Sequence, residues 1–276
     1  MRFLQILCAA CAIFKVNCST IDRSPTRIES VSLRPVPSGV LAETAASAKA
    51  ALGVDESAFH LIIEAEEALQ WRLALVDHAR QSIDVQYYLW NIDEAGLLLL
   101  SRLLDAADRG VRVRMLIDDL LFPGEEHRLA ALCHHPNVEI RIYNPQFVRG
   151  SGLASKLEVL SRFSELNRRM HNKAFLVDGQ MAIMGGRNIG NEYFGLKQAY
   201  NFVDLDVMTT GPVVPEVAAS FDRYWNHELS HPGEAFSPET GPEETATVIA
   251  GVHQYVREEK KILPASPYPK IRKDWS

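Results

Sequence analysis

Cysteine is scarce in this sequence, and its placement excludes a disulfide framework. Three of the four cysteines, Cys8, Cys11 and Cys18, fall within the first eighteen positions, which leaves Cys133 alone in the body of the chain. No intradomain disulfide can form there, and no group of zinc-ligand spacing exists. Net positive charge is missing too. The formal charge is −6, which argues against a protein that coats nucleic acid. The apolar stretch at the N-terminus, Phe3 to Phe14 with Gln5 inside it, is too short to span a bilayer comfortably. There is no internal repeat and no low-complexity tract. What remains is a chain of 276 residues, 47% hydrophobic, enough to bury one large core.

The most informative stretch is Met170-His-Asn-Lys-Ala-Phe-Leu-Val-Asp178, an H-x-K-x-x-x-x-D pattern, followed by Gly185-Gly186-Arg187-Asn188. Lys173 to Asp178 reads as a strand, Asp178-Gly179 as a turn, and Met181 to Met184 as a second strand paired across it as a hairpin. Side chains two apart on a strand share a face, so His171 and Lys173 point into one pocket. An imidazole can attack phosphorus or protonate a leaving oxygen near neutral pH. An ammonium beside it offers fixed positive charge to phosphoryl oxygens. Asn188 can donate its amide to another oxygen, and Gly185 and Gly186 let backbone approach a phosphate closely.

The carboxylates divide. Asp178 completes the pattern, but its odd spacing from Lys173 puts it on the opposite face, as a turn or structural acid rather than a proton donor. Asp204 and Asp206 sit two apart in Val203-Asp-Leu-Asp-Val-Met208, read as another strand. A carboxylate on a neighbouring strand could accept the second imidazole N–H and fix its tautomer. For Asp206 a structural role is favoured. No cluster of carboxylates or cysteines accompanies the motif, so neither a metal nor another cofactor is expected.

This pattern resembles the active-site motif of the phospholipase D superfamily, whose members cut or exchange phosphodiester bonds without a metal. The likeness covers roughly residues 55 to 230. It is strongest to bacterial cardiolipin synthases of the phosphatidylethanolamine-using kind, through Ser82-Ile-Asp-Val-Gln-Tyr-Tyr-Leu-Trp90, Arg109-Gly-Val-Arg-Val-Arg114, Ile117-Asp-Asp119, Phe163 to His171 and Gly185-Gly-Arg-Asn-Ile-Gly190. The resemblance implies catalysis by His171 and Lys173, with Asp178 counted in the motif. It implies phosphate binding by Lys173, Gly186 and Asn188, a phosphohistidine intermediate, and Asp204 as the acid that orients the histidine. The implied substrate is an anionic phospholipid at a membrane surface, phosphatidylglycerol with phosphatidylethanolamine as a further candidate, in a bacterial cell envelope. Such enzymes carry two motifs per site and are about twice as long, whereas no other H-x-K occurs here. The chain therefore reads as the first half of a two-motif enzyme. It would work with a separately encoded second half or as a homodimer. Two alternatives stand beside it: a single-motif homodimeric nuclease, which the acidic charge disfavours, and an inactive truncated remnant or binding module.

The alternation of strands and helices predicts an α/β fold with a mixed, largely parallel sheet and helices on both faces. Phe59 to Ala79 reads as helix, as do Ala95 to Arg109, closed by Gly110, and Val213 to Glu228. Four regions are expected: a signal-like leader over 1–18, a linker over 19–54, the catalytic domain over 55–232, and a tail over 233–276, poorly ordered in part. From Arg141 to Lys173, seven Lys/Arg stand against two acids, Glu158 and Glu165, a local balance of +5. The segment Gln146 to Phe163, read as a loop, adds Phe147, Leu153, Leu157, Val159 and Leu160. Apolar and basic residues together fit an interfacial surface, though ordinary packing accounts for them equally well.

Overall fold

The frame of the molecule is one eight-stranded sheet with strand order β1-β7-β6-β5-β2-β3-β4-β8. The structure is a computed structural model that describes residues 25–119, 126–148, 153–237 and 239–258. The strands are β1 (Ala58–Ile62), β2 (Ser82–Tyr87), β3 (Arg112–Asp118), β4 (Val138–Tyr143), β5 (Ala174–Val177), β6 (Met181–Gly185), β7 (Asp206–Thr210) and β8 (Ser230–Pro232). Only β2–β3 and β3–β4 run parallel; the other five pairings are antiparallel. The α/β class and the mixed sheet agree with the sequence. The parallel share is smaller than expected, because after residue 173 the chain returns by hairpin and meander rather than by helical crossover. The Asp178–Gly179 turn is the first of these. Both residues have positive φ, 55° and 63°, which suits the Asp-Gly pair.

Helices cover both faces. Residues of α1 (Val40–Leu52), α2 (Ala65–His78), α3 (Glu94–Asp108), α4 (Glu126–Leu132) and α8 (Pro242–Glu258) join one core with Ile83, Val85, Val113, Met115, Phe175 and Ile183 from the sheet. On the other face α7 (Val213–Trp225) lays Val214, Phe221 and Trp225 over Leu116, Leu176 and Ala182. Strand residues alternate between these two cores, the period-two pattern of a sheet buried on both sides. Asp93 caps α3 by accepting from the Gly96 N–H at 3.1 Å. Gly110 closes it with φ 92°, where glycine carries no penalty.

Several boundaries differ from the sequence reading. Ala58–Ile62 is an edge strand rather than the start of a helix; its burial alternates, and the helix begins at Ala65. β7 starts at Asp206, so Asp204 lies in the approach to the strand and not within it. Residues 153–166 form α5 (Leu153–Ser161) and α6 (Phe163–Leu166) rather than a loop. The stretch read as a linker is tied into the domain from Pro25 onward. Ser32 donates its N–H to Asp222, the Val36 N–H bonds Asp178 O, and Leu41 is buried in the core. The Asp84 and Asp222 carboxylates hold Arg114 between them, at 2.7 and 2.9 Å, over the rings of Phe221 and Trp225. The expected tail also belongs partly to the body. The Thr245 hydroxyl bonds Ala131 O at 2.7 Å, and Val252 is buried with the core. The leader over 1–18 and the last residues of the tail lie outside the described residues. Among the described residues, no helix is long and apolar enough to cross a membrane.

Candidate active site

The motif sits where strands of opposite direction finish and begin together. β5 pairs antiparallel with β2, Gln86 opposite Ala174. The start of β5 therefore lies beside the C-terminal end of β2, with Tyr88 next to His171. The chain enters this position from a fixed anchor. Met170 is fully buried, and its N–H donates to Asp118 Oδ2 at 2.9 Å; Arg169 forms an ion pair with Asp118 Oδ1 at 3.2 Å. Asp118 ends β3, so the sheet itself sets the height at which His171 emerges.

His171 is exposed while Lys173 is buried. The Lys173 ammonium donates to the His171 carbonyl at 2.8 Å and lies 3.2 Å from Nδ1 and 3.3 Å from Nε2. The lone pairs of the two ring nitrogens diverge, so one ammonium cannot point protons along both. It rests against the ring. The two side chains thus meet, although both residues precede β5 rather than lying on it. Tyr88 backs the pair, with its ring centroid 4.8 Å from the imidazole and 5.4 Å from the Lys173 ammonium. Burial lowers the Lys173 pKa below the ordinary lysine value, and the charge of Asp204 opposes that shift.

Asn188 is buried and held at both ends. Its Oδ1 accepts from the Leu89 N–H at 3.1 Å, and its Nδ2 donates to the Tyr193 hydroxyl at 3.0 Å. Burial pushes the Tyr193 phenol above its usual range, so at neutral pH the hydroxyl keeps a proton it can donate while accepting from Asn188.

The two glycines make room for acids. A Cβ on Gly186 would fall 2.0 Å from Asp204 Oδ1, and one on Gly185 would fall 2.0 Å from Asp206 Oδ1. The Gly186 N–H donates to Leu205 O at 3.1 Å, so its amide is committed to the backbone and is not free for a phosphate oxygen. Asp204 lies across Gly186, with its carboxylate accepting the Leu205 N–H at 2.8 Å. It faces Lys173 electrostatically and makes no hydrogen bond to His171 in this arrangement. Asp206 is fully buried, paired with Arg72 at 2.9 Å, a structural position as the sequence suggested.

Asp178 is at the far end of β5 from His171. Its carboxylate accepts the N–H groups of Arg80, Gln81 and Ser82 at 2.9, 2.7 and 3.0 Å. From the β5–β6 turn it holds the backbone that joins α2 to β2, at a distance from the His171–Lys173 pocket, which suits the structural role its spacing suggested. Asp178→Ala leaves three N–H groups without that acceptor. The expected result is a loss of about 2–4 kcal/mol in unfolding free energy, with the rate per folded molecule unchanged. Denaturant melts beside initial rates check this, and a large rate loss in fully folded protein would restore Asp178 to the chemistry.

Sequence reasoning missed Tyr88, Tyr193 and Asp118. Tyr88 and Asp118 stand inside stretches that carry the family likeness, but their spacing gives no sign of what they touch. Among the described residues no second histidine contacts His171, Lys173 or Asn188, and no group of three or more His, Cys, Asp or Glu could hold a metal.

Residues 73–225 match the family model described as cardiolipin synthase, PLD-like domain. The chain belongs to this family. It is 50% identical to cardiolipin synthase C of Escherichia coli over 159 residues, 58% of this chain and 33% of that protein. It is 36% identical to an uncharacterized protein of Helicobacter pylori over 202 residues, 73% of this chain and 40% of the relative. NucT from Helicobacter pylori, a solved structure, aligns at a TM-score of 0.46 and 16% identity, covering 64% of this chain and 99% of that one. This member of the cardiolipin synthase family thus spans well under half the length of the curated relatives it matches.

Proposed function

We propose that this chain supplies one half of a phospholipase D-type site that transfers a phosphatidyl group, as a cardiolipin synthase does. The observation that carries the reading is the exposed His171 imidazole with a buried ammonium against it, at the sheet end of a cardiolipin synthase-like domain. An imidazole nitrogen of His171 attacks the phosphorus of an anionic phospholipid, phosphatidylglycerol in the first instance. A phosphorus–nitrogen bond forms, and the bond from phosphorus to the leaving alcohol breaks. The alcohol takes a proton from an acid on the far side, a second histidine. That group then removes the proton of a glycerol-type hydroxyl, or of water, which attacks the phosphohistidine and frees His171. Lys173 neutralises the phosphoryl oxygens throughout. Tyr193, held by Asn188, offers them an O–H. Asp204 balances the ammonium and is the candidate to orient the imidazole. Phosphatidylethanolamine is a further candidate substrate, and the bacterial cell envelope is the setting proposed with it.

The acid on the far side is the missing element. One imidazole cannot lie on both sides of phosphorus in one step, so a second motif, from a second copy or from sequence beyond this domain, completes the site. Size-exclusion chromatography with an assay of every fraction tests this. Turnover of phosphatidylglycerol vesicles is expected only in a dimeric fraction or after a partner half is added. Robust turnover in a strictly monomeric peak overturns the half-site. Cleavage of short DNA in preference to the lipid supports the nuclease reading instead.

A further inference from the structure

The helix that leads into the motif is inside out. In α5 the residues turned toward the protein are Ser155 and Glu158, 8% and 6% exposed, while Leu153, Leu157, Leu160 and Phe163 are 74%, 55%, 76% and 63% exposed. These four follow one another at helical spacing, so they make a single outward stripe through α5 into α6. A helix free to choose would bury that stripe and expose the glutamate. The orientation is held by a built cradle. Glu158 accepts the N–H groups of Phe147 and Val148 at 3.0 and 2.6 Å, and pairs with Arg162 at 2.8 Å. Ser155 Oγ accepts from Gln146 Nε2 at 2.7 Å. A buried carboxylate fully satisfied in this way fixes the helix against rolling over.

The stripe has a chemistry and a position. Lys156 and Arg168 beside it are exposed and make no salt bridge among the described residues. A lysine next to apolar side chains can lay its stem along an acyl layer and keep its ammonium among phosphates. The position follows from Asn144, whose amide donates to Glu165 O and Arg168 O at 2.7 and 3.1 Å. This ties the segment to the C-terminal end of β4, the sheet end at which His171 emerges. An exposed apolar stripe flanked by cations is complementary to an anionic lipid interface.

We propose that the outward face of α5 and α6 seats the protein on an anionic bilayer, with Leu153, Leu157, Leu160 and Phe163 entering the acyl boundary and Lys156 and Arg168 meeting lipid phosphates. The site would then open onto the headgroup layer. The inference deepens the proposed function and rests on it for its purpose, but not for its test.

The test places a reporter in the stripe of the full chain. In Leu160→Trp, the new indole is expected to shift to the blue and to lose about half its emission when vesicles contain brominated phosphatidylglycerol. The emission is read against the parent chain, which carries the buried Trp71, Trp90 and Trp225 and also Trp275, outside the described residues. Leu52→Trp, at the exposed end of α1, whose Lys49 shares a cleft with Gly179 at the opposite end of β5, should show no such quenching. Lys156→Ala on the Leu160→Trp background should weaken partition about fivefold. An unquenched Trp at 160 in a chain that still cofloats with the vesicles overturns the proposal, as does failure to cofloat. A blue shift that grows with protein concentration without vesicles overturns it in favour of a protein interface. Equal quenching in phosphatidylcholine vesicles overturns the anionic selectivity. Since quenching needs no turnover, an inactive chain can pass and an active one can fail, which separates this test from that of the site.

Discussion

Replacement of His171 by alanine is expected to abolish phosphatidyl transfer by the assembled enzyme while leaving the fold intact. Loss of general acid–base function alone removes about 10²–10⁴ in rate, and in the proposed reaction the loss of the attacking imidazole would remove the covalent route as well. Stability should move by less than about 1 kcal/mol, because an exposed side chain off the core contributes little. Among the described residues its ring touches Tyr88 and Lys173. Initial rates with phosphatidylglycerol vesicles and a denaturant melt give both numbers. An unchanged rate removes His171 from the chemistry. The pH profile supplies a second readout. Burial lowers the Lys173 pKa, against the opposing charge of Asp204. The ammonium is therefore lost as pH rises through a value below the ordinary lysine range, and the rate should fall on that alkaline side.

The strand was legible because Ala-Phe-Leu-Val before Asp-Gly announced it, whereas His171 and Lys173 lie in the approach to β5 (Ala174–Val177) and meet there through the Lys173 ammonium rather than as two residues of one strand face. Strand spacing separated Asp178 from the pocket, where the resemblance alone would have kept it in. Other parts of the site come from elsewhere in the chain. Tyr88 reaches His171 only because β5 chose β2 as its antiparallel neighbour, and pairing partners leave no trace in local spacing. Tyr193 meets Asn188 across the short 3-10 turn Asn191–Tyr193, a loop conformation with no periodicity to read. The surroundings of Gly186 were hidden for a related reason: its N–H is taken by Leu205 O and its open side by Asp204, both long-range contacts. In the fold, β1 was hidden because Ile62 and Ala65 fall by coincidence at helical spacing. In α5, apolar periodicity pointing outward gave no hint of which way the helix would face.

Asp206→Ala should be the most destabilising single change near the site. Asp206 is fully buried with Arg72 at 2.9 Å and Arg187 at 3.5 Å. Arg72 is further held by Tyr87 Oη and Ala68 O, and Arg187 by the carbonyls of Ile62 and Ile63. Two buried guanidinium groups thus share one carboxylate. Removing it leaves both cations in the core without a counter-charge, where breaking a buried pair by one partner costs about 3–5 kcal/mol. For a domain of this size that corresponds to a fall in Tm of roughly 6–20 °C. The effect should extend to the pocket, since Asp206 packs against Gly185 and so sets the approach of β7 to β6 that places Asp204 over Gly186. Thermal melts of Asp206→Ala, Arg72→Ala and the double variant measure it. The double variant should lose less than the sum of the singles, because the second substitution removes one of the cations the first left stranded. A loss below about 1 kcal/mol for Asp206→Ala, or strict additivity of the pair, would mean that the two guanidinium groups are neutralised by something other than this carboxylate.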